Sequence, residues 1–475
     1  MGGCASKGAS KGVDDNEVVL SGKDVVPLEA VASTATDKPT PVPFVQDLDS
    51  LTPEAAAELL RSNVASNYFA VDALLASVES GAIAPLHGRW LLALRERGGQ
   101  LQRRQDLPAE AFWSAAELRH EVARLGPERF GALFVALSYR WLSKEHPDPR
   151  GFHLSIVAAV LGLYLPVTGK RFAAYCSPLT AAYAAAGLDW KTADCALFWD
   201  FASLYQPPRA EAHNALFGLG LKASNIWYGH ALTACWMQSE LPSGFAGAPY
   251  EVSGWCYVEA AISAAVKEGG CRLDLGKRTG EAMEYAYTHD GNNLSNKLTA
   301  VCAGRRPPPL PPSEVARLLE TEKKFTNSSD TGVVAALYRT FFESIASATE
   351  RLAFRELQWG DAEAAQLAAV LPEFVRLREL DLSNNELGAE GARALAPVVA
   401  VMGSVTKILV GNNQLGEVGT KAICDALKTN TTVKELDLSG GMMTGSNIGG
   451  PAGAKHIADM LADNGSLTSV WTPAH

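Results

Sequence analysis

The sequence predicts an α/β chain in two parts: a three-layer, parallel-sheet domain with a helical lead-in, then a curved solenoid of alternating strands and helices. Three observations carry this expectation. Short, nearly continuous apolar runs (ALFVALS, CALFWD, ALTACWM) alternate with helical stretches between Phe130 and Cys271, as strands buried on both faces of a parallel sheet do. From Leu377 a unit of 28 residues recurs, and a fixed period of that size marks a solenoid. At 475 residues the chain is also longer than one hydrophobic core usually serves.

The first residues, MGGCASKG, place Ser6 and Lys7 behind Gly2 at the spacing of an N-myristoylation signal, with Cys4 beside it as a site for a second chain. One acyl chain binds a membrane only marginally, whereas two make a stable anchor. The expected place of the protein is therefore cytoplasmic, peripheral on a membrane's inner face. Residues 1–48 read as an acylated tail and flexible tether, being rich in Thr, Pro, Asp and Lys. Residues 49–126 read as a helical lead-in, from the Thr-Pro start of TPEAAAELL and the helical spacing in AFWSAAELRHEVARLG. The α/β domain then spans 127–303.

The stretch GRRPPPLPP, 304–312, is expected to be an extended polyproline spacer. It also satisfies R-x-x-P-x-x-P from Arg305 and from Arg306, so an SH3 domain is a second reading of the segment up to Pro312. Residues 313–347 are helical and placed to cap the solenoid, which occupies 348–475.

In the solenoid, LRELDLSNNELG is followed at the same interval by VTKILVGNNQLG and VKELDLSGGMMTG. Leu380 and Leu382, Ile408 and Val410, and Leu436 and Leu438 are the core-facing pairs of short strands, and Asn385 and Asn413 recur at the turns. One period back, Leu352 and Gly360 mark a degenerate first unit, and TGSNIGGPAG interrupts the last. The pattern resembles leucine-rich repeats of the ribonuclease-inhibitor type. The resemblance implies an arc that contacts a protein partner, with the alternative that it only stabilises its neighbour.

Three segments of the α/β domain lie where strands end or helices begin. FVALSYRWL delivers Ser138, Tyr139, Arg140 and Trp141 to the carboxyl end of a strand, and CALFWDFASLYQ does the same for Asp200. YEVSGWCYVEAAIS places Ser253 to cap a helix carrying Trp255 and Glu259. Ligand crevices of open parallel sheets lie outside the carboxyl ends of the strands.

These segments resemble the Toll/interleukin-1 receptor (TIR) domain, through SYR and SGWCYVE, and the fungal heterokaryon-incompatibility (HET) domain, through ALSYRW, WDFASLYQ and GWCYVE. Ser253 stands where incompatibility domains carry Arg, and the loop after Asp200 departs from TIR domains. What the resemblance implies is a signalling domain that self-associates, or an NAD nucleosidase in which Glu259 is the catalytic carboxylate. Nicotinamide leaves as a neutral pyridine, so one carboxylate beside the sugar cation suffices. In that reading NAD is the substrate. Arg140 pairs with a phosphate, Asp200 accepts a ribose hydroxyl, Ser138 lines the site, and Trp141 or Trp255 stacks on a ring. The plainer readings are a carboxylate near a helix N-terminus for Glu259, a core anchor for Trp255, and a loop tie for Ser138 and Arg140.

Other classes lose ground on composition and motif. A formal net charge of -10 repels nucleic acid. The eight cysteines form no C-x-x-C pair, which points to reduced thiols and no metal site. Leu154 to Val167 is apolar for only 14 residues, too short to span a bilayer. VTGKRF lacks the frame of a phosphate-binding loop, and neither H-E-x-x-H nor G-x-S-x-G occurs.

Overall fold

The computed structural model describes residues 67–166, 176–267, 269–287, 294–440 and 447–472. Gly2, Cys4, the tether and the start of the lead-in lie outside them.

In chain order the first part runs α1 (Val71–Glu79), β1 (Leu86–His87), α2 (Gly88–Glu96), α3 (Ala115–Leu125), β2 (Phe134–Tyr139), α4 (Phe152–Tyr164), α5 (Pro178–Ala185), β3 (Ala196–Phe198), α6 (Glu211–Gly229), β4 (Ala234–Gln238), α7 (Gly254–Ala265) and β5 (Arg272–Asp274). The sheet order is β1-β3-β2-β4-β5, with β2 to β5 mutually parallel. Strand β2 is central and buried at every position. Its alternation sends side chains to two helical groups. Phe134, and Phe198 in the neighbouring strand, pack on Trp227 of α6 with ring centroids 5.5 and 5.6 Å away. On the opposite face Tyr139 meets His153 and Trp236 meets Tyr164, both of α4.

The lead-in departs from the expectation of helices alone. Its residues Leu86 and His87 pair antiparallel with Leu197 and Ala196, making β1 an edge strand of the main sheet. Trp113 donates its indole N–H to the Cys195 carbonyl at 3.0 Å, fixing the same edge. Two residues are too few for alternation to betray a strand. The helix α3 begins where its capping box predicts: Ser114 Oγ accepts from the Glu117 N–H at 3.2 Å, and the Glu117 carboxylate accepts the Ser114 N–H at 2.8 Å. A small antiparallel hairpin, β6 (Tyr285–Tyr287) and β7 (Leu294–Asn296), closes the domain.

The proline segment is a seam rather than a free spacer. Arg306 is only 2% exposed, and Pro308 and Pro309 are buried. Its guanidinium donates to Ala264 O of α7 at 3.1 Å and to Ala353 O of the first repeat at 2.9 Å, and lies 4.9 Å over the Phe354 ring. The Arg306 carbonyl accepts the Trp359 indole N–H at 2.8 Å. An SH3 domain reads exposed prolines and arginine, so this packing corrects that reading. Arg305 projects outward, 3.1 Å from Glu363, and Pro307 is exposed beside it.

After α8 (Pro312–Thr321), α9 (Asp330–Ala348) touches both halves: Phe341 packs on Tyr68 and Phe342 on Phe374. The solenoid follows as β8 (Arg351–Ala353), α10 (Asp361–Val370), β9 (Glu379–Asp381), α11 (Ala389–Val401), β10 (Lys407–Leu409), α12 (Gly416–Thr429), β11 (Glu435–Asp437), α13 (Gly450–Asp463) and β12 (Ser469–Trp471). All five strands are parallel and in register, with Leu352, Leu380, Ile408, Leu436 and Val470 side by side.

An asparagine ladder spans the turns. Asn385 donates to Phe354 O and Leu382 O, Asn413 to Leu382 O and Val410 O, at 2.7 to 3.0 Å. Asn447 repeats this with Val410 O and Leu438 O, a third rung that the insertion moved off the period.

Carboxylates at the carboxyl end of the sheet

Strand β2 ends in Ser138 and Tyr139, whose side chains leave the sheet on opposite sides. Beyond β3 a single helical turn opens at Asp200. The helix α7 starts close against its neighbours. The Gly254 N–H donates to Lys324 O at 3.0 Å, and a Cβ on Gly254 would stand 2.0 Å from the Phe325 ring. Ser253 occupies the N-cap position without a side-chain cap bond, which corrects the capping role expected of it. The helix instead takes its register from Lys324 and Phe325, and Glu259 projects from its second turn.

Glu259 and Ser138, 121 positions apart, meet with Ser138 Oγ donating to Oε2 at 2.5 Å. Ser138 Oγ also lies 2.6 Å from the Tyr250 hydroxyl, and the Tyr228 hydroxyl of α6, which donates to Leu137 O at 3.3 Å, stands close enough to act on the Glu259 carboxyl. Asp200 takes three donors: the Tyr139 hydroxyl at 2.7 Å, the Phe201 N–H at 2.6 Å and the Trp141 indole N–H at 3.1 Å. Burial pushes the Glu259 carboxyl up to about 8, the like charge of Asp200 adds to the rise, and Ser138 and Tyr228 pull it back. Asp200 is raised as well, by burial, against the pull of its donors. Arg140, Trp141, Asp200 and Glu259 all keep some contact with solvent, while Ser138 and Tyr139 are fully enclosed.

Of the residues singled out in the sequence, Ser138, Trp141, Asp200 and Glu259 therefore converge. Arg140 stands beside them with Nε on Ala248 O at 3.3 Å, and its own carbonyl is 2.9 Å from His153 Nε2. Trp255 is committed elsewhere: its indole N–H donates to Asp330 of α9 at 3.0 Å, so it fastens α7 to the helix behind it. Tyr228 and Tyr250 belong to the cluster but were not among the expected residues. Tyr250 heads the YEVSGWCYVE segment, whereas nothing in the sequence around Tyr228 distinguishes it from a core aromatic.

Two hollows lie away from the carboxylates. One of about 80 Å³ sits among Tyr164, Trp236, Leu273 and Leu298, and one of about 660 Å³ between Phe69, Leu232 and Arg351. Ionisable groups in mutual contact identify a chemical site better than volume does, and here they favour the carboxyl ends of β2 and β3. Among the described residues no group of three or more His, Cys, Asp or Glu is placed to hold a metal ion.

Comparison with known proteins bears on the solenoid. A leucine-rich-repeat family model matches residues 377–396. A solved structure of the leiomodin-1 actin-binding site 2 is similar at 19% identity, over 26% of this chain and 70% of that one, with a TM-score of 0.21. No curated protein matches. The register of the strands, the asparagine ladder and the family match together make the segment from Arg351 onward a leucine-rich-repeat array, a protein-interaction module.

Proposed function

We propose that the chain is a membrane-tethered intracellular signalling or sensor protein, in which the repeat array holds a protein partner and the TIR- or HET-like α/β unit self-associates as an adaptor. The observation that carries this is the strand face of the array. Arg351, Glu379, Lys407 and Glu435 stand in one cross-strand row of alternating charge, 2.9 to 3.8 Å apart, a polar surface suited to docking. Acyl chains on Gly2 and Cys4 supply the tether; among the described residues no helix is long and apolar enough to cross a membrane.

A second reading, NAD nucleosidase using Glu259, is favoured by the meeting of Glu259 with Ser138 at the carboxyl end of β2. One set of measurements on the full-length protein separates the two. Sedimentation across a concentration series is expected to show self-association, and a strictly monomeric chain defeats the adaptor. Nicotinamide release from NAD supports the second reading, and its absence at concentrations where the chain associates defeats it. Vesicle binding of the acylated protein is expected to be lost in Gly2→Ala; retention ends the tether.

A further inference from the structure

The strand face of the repeat array carries two cross-strand rows, which differ in whether their charges are answered. In the first, Arg351 lies 2.9 Å from Glu379, and Lys407 lies 3.8 and 3.5 Å from Glu379 and Glu435, so each acid has a cation beside it. Two residues further along each strand, on the same face, stand Ala353, Asp381, Leu409, Asp437 and Trp471, in register from β8 to β12. Among the described residues no cation pairs with either aspartate of this second row.

The two aspartates flank Leu409, which is half-buried. Neighbouring strands are about 4.8 Å apart, so the aspartate backbones stand roughly 10 Å from each other. Asp381 is 3% exposed and uses Oδ1 for the Ser383 N–H at 3.1 Å and the Ser383 hydroxyl at 2.6 Å; among the described residues its Oδ2 receives no donor. Asp437 Oδ1 accepts the Ser439 N–H at 2.8 Å. The same carboxylate leans over Gly411, where a Cβ would come within 2.9 Å of Oδ2 and 2.8 Å of Ser439 Oγ. The missing side chain at Gly411 thus leaves a notch with Leu409 as its floor and an acid on either wall. On the far side of Asp437 the Trp471 side chain is 47% exposed.

An acid held almost out of water without a cation loses hydration that nothing in its row replaces. A guanidinium replaces it, because its planar fork donates to two carboxylates at once while its stem lies on Leu409. An aromatic face takes a second cation. We propose that this row is the partner site of the array and takes a basic, extended segment, with one Arg side chain seated between Asp381 and Asp437 and a further Arg or Lys over Trp471. The notch and Trp471 are two strands apart, roughly 10 Å, which an extended chain covers in about three residues.

This rests on the reading of the array as a partner-binding module and gives that partner its chemistry. Charge complementarity selects a basic segment over an acidic one: the acids of the first row are already neutralised, whereas those of the second are not.

The test titrates the full-length chain with fluorescent dodecapeptides of alternating Arg and Ser, Lys and Ser, or Glu and Ser, read by anisotropy at about 0.15 M salt. The Arg peptide is expected to bind about tenfold or more tightly than the Glu peptide, and more tightly than the Lys peptide, which lacks the fork. Asp381→Asn and Asp437→Asn are each expected to weaken it about three- to tenfold, and Gly411→Ala, which keeps every charge but pushes the Asp437 carboxylate aside, by a similar factor. Trp471→Ala is expected to weaken it about two- to fivefold. A chain of net charge -10 attracts any cation, so Glu390→Gln on the exposed side of α11 is the charge-matched control and should stay within about twofold of wild type. Equal binding of the Arg and Glu peptides, or equal losses in the row variants and the control, overturns the proposal. Should Asp381→Asn fail to fold, Trp471→Ala and the control still decide. If a benzophenone placed at Leu409 captures a protein from cell extract that excess Arg peptide does not displace, the basic chemistry falls and the partner reading stands. No capture and no peptide binding overturn both.

Discussion

A carboxyl that holds its proton in the folded chain and loses it in the unfolded one makes stability depend on pH. Glu259 is pushed by burial to about 8, from an ordinary value near 4.5. The folded state therefore binds more protons between those limits, and stability falls as pH rises through the window, by up to about 1.4 kcal/mol per pH unit. The contribution is fully present below the ordinary carboxylate range and gone above the folded value. Asp200, raised in the same direction, adds to the slope without reversing it. In Glu259→Gln the side chain is neutral at every pH. Urea midpoints at pH 5, 6.5 and 8 are therefore expected to fall more steeply for wild type than for the variant, and equal slopes would show that Glu259 titrates as an ordinary exposed acid.

At the scale of elements, the turns after the first three repeat strands hold a residue at the same position in the left-handed region, and the first of them holds Gln358 there as well. Asn412 and Asn384 hold it at φ of 54° and 56°, and Glu356 holds it in the first unit at 59°. Asparagine tolerates that conformation and glutamate does not, the cost being about 1 kcal/mol. The exposed Glu356 has only Arg355 at 3.5 Å to lose, so Glu356→Asn is expected to raise stability by about 1 kcal/mol. A lower melting temperature for the variant would contradict this.

The same turns show what sequence pattern reaches. The period located four of the five repeat strands from Leu352, Leu380, Ile408 and Leu436, because one coil is one repeat and each strand must present the same apolar pair. Asn447 escaped, since an insertion displaced it while its bonds to Val410 and Leu438 stayed the same. At the candidate site, Ser138, Asp200 and Glu259 were legible because each lies where a strand ends or in the first turns of a helix. Tyr228 was not, because its partner lies on a different helix and local pattern holds no trace of such pairings. Trp255 shared the spacing of Glu259 but found Asp330 in reach, a choice made by α9 and not by α7.

For the molecule as a whole, the decisive residue is one that composition disguised. A run of prolines reads alike whether it is packed or solvated, yet Arg306 ties α7, the helix carrying Glu259, to the first repeat through two backbone carbonyls. At 2% exposure its charge is stabilised by those bonds and by the Phe354 ring. Truncating it leaves the carbonyls of Ala264 and Ala353 without this donor, at a cost of about 1–3 kcal/mol each if water cannot enter. Solenoid repeats propagate stability only to their neighbours, so the first repeat takes its support from this seam and from α9. Wild type is therefore expected to unfold in one calorimetric transition. Arg306→Met, which keeps much of the packing and removes the donors, is expected to split it, with the repeats melting first and Glu259 titrating closer to an ordinary carboxylate. A single unshifted transition in the variant would mean that α9 alone joins the halves and that the proline segment only passes between them.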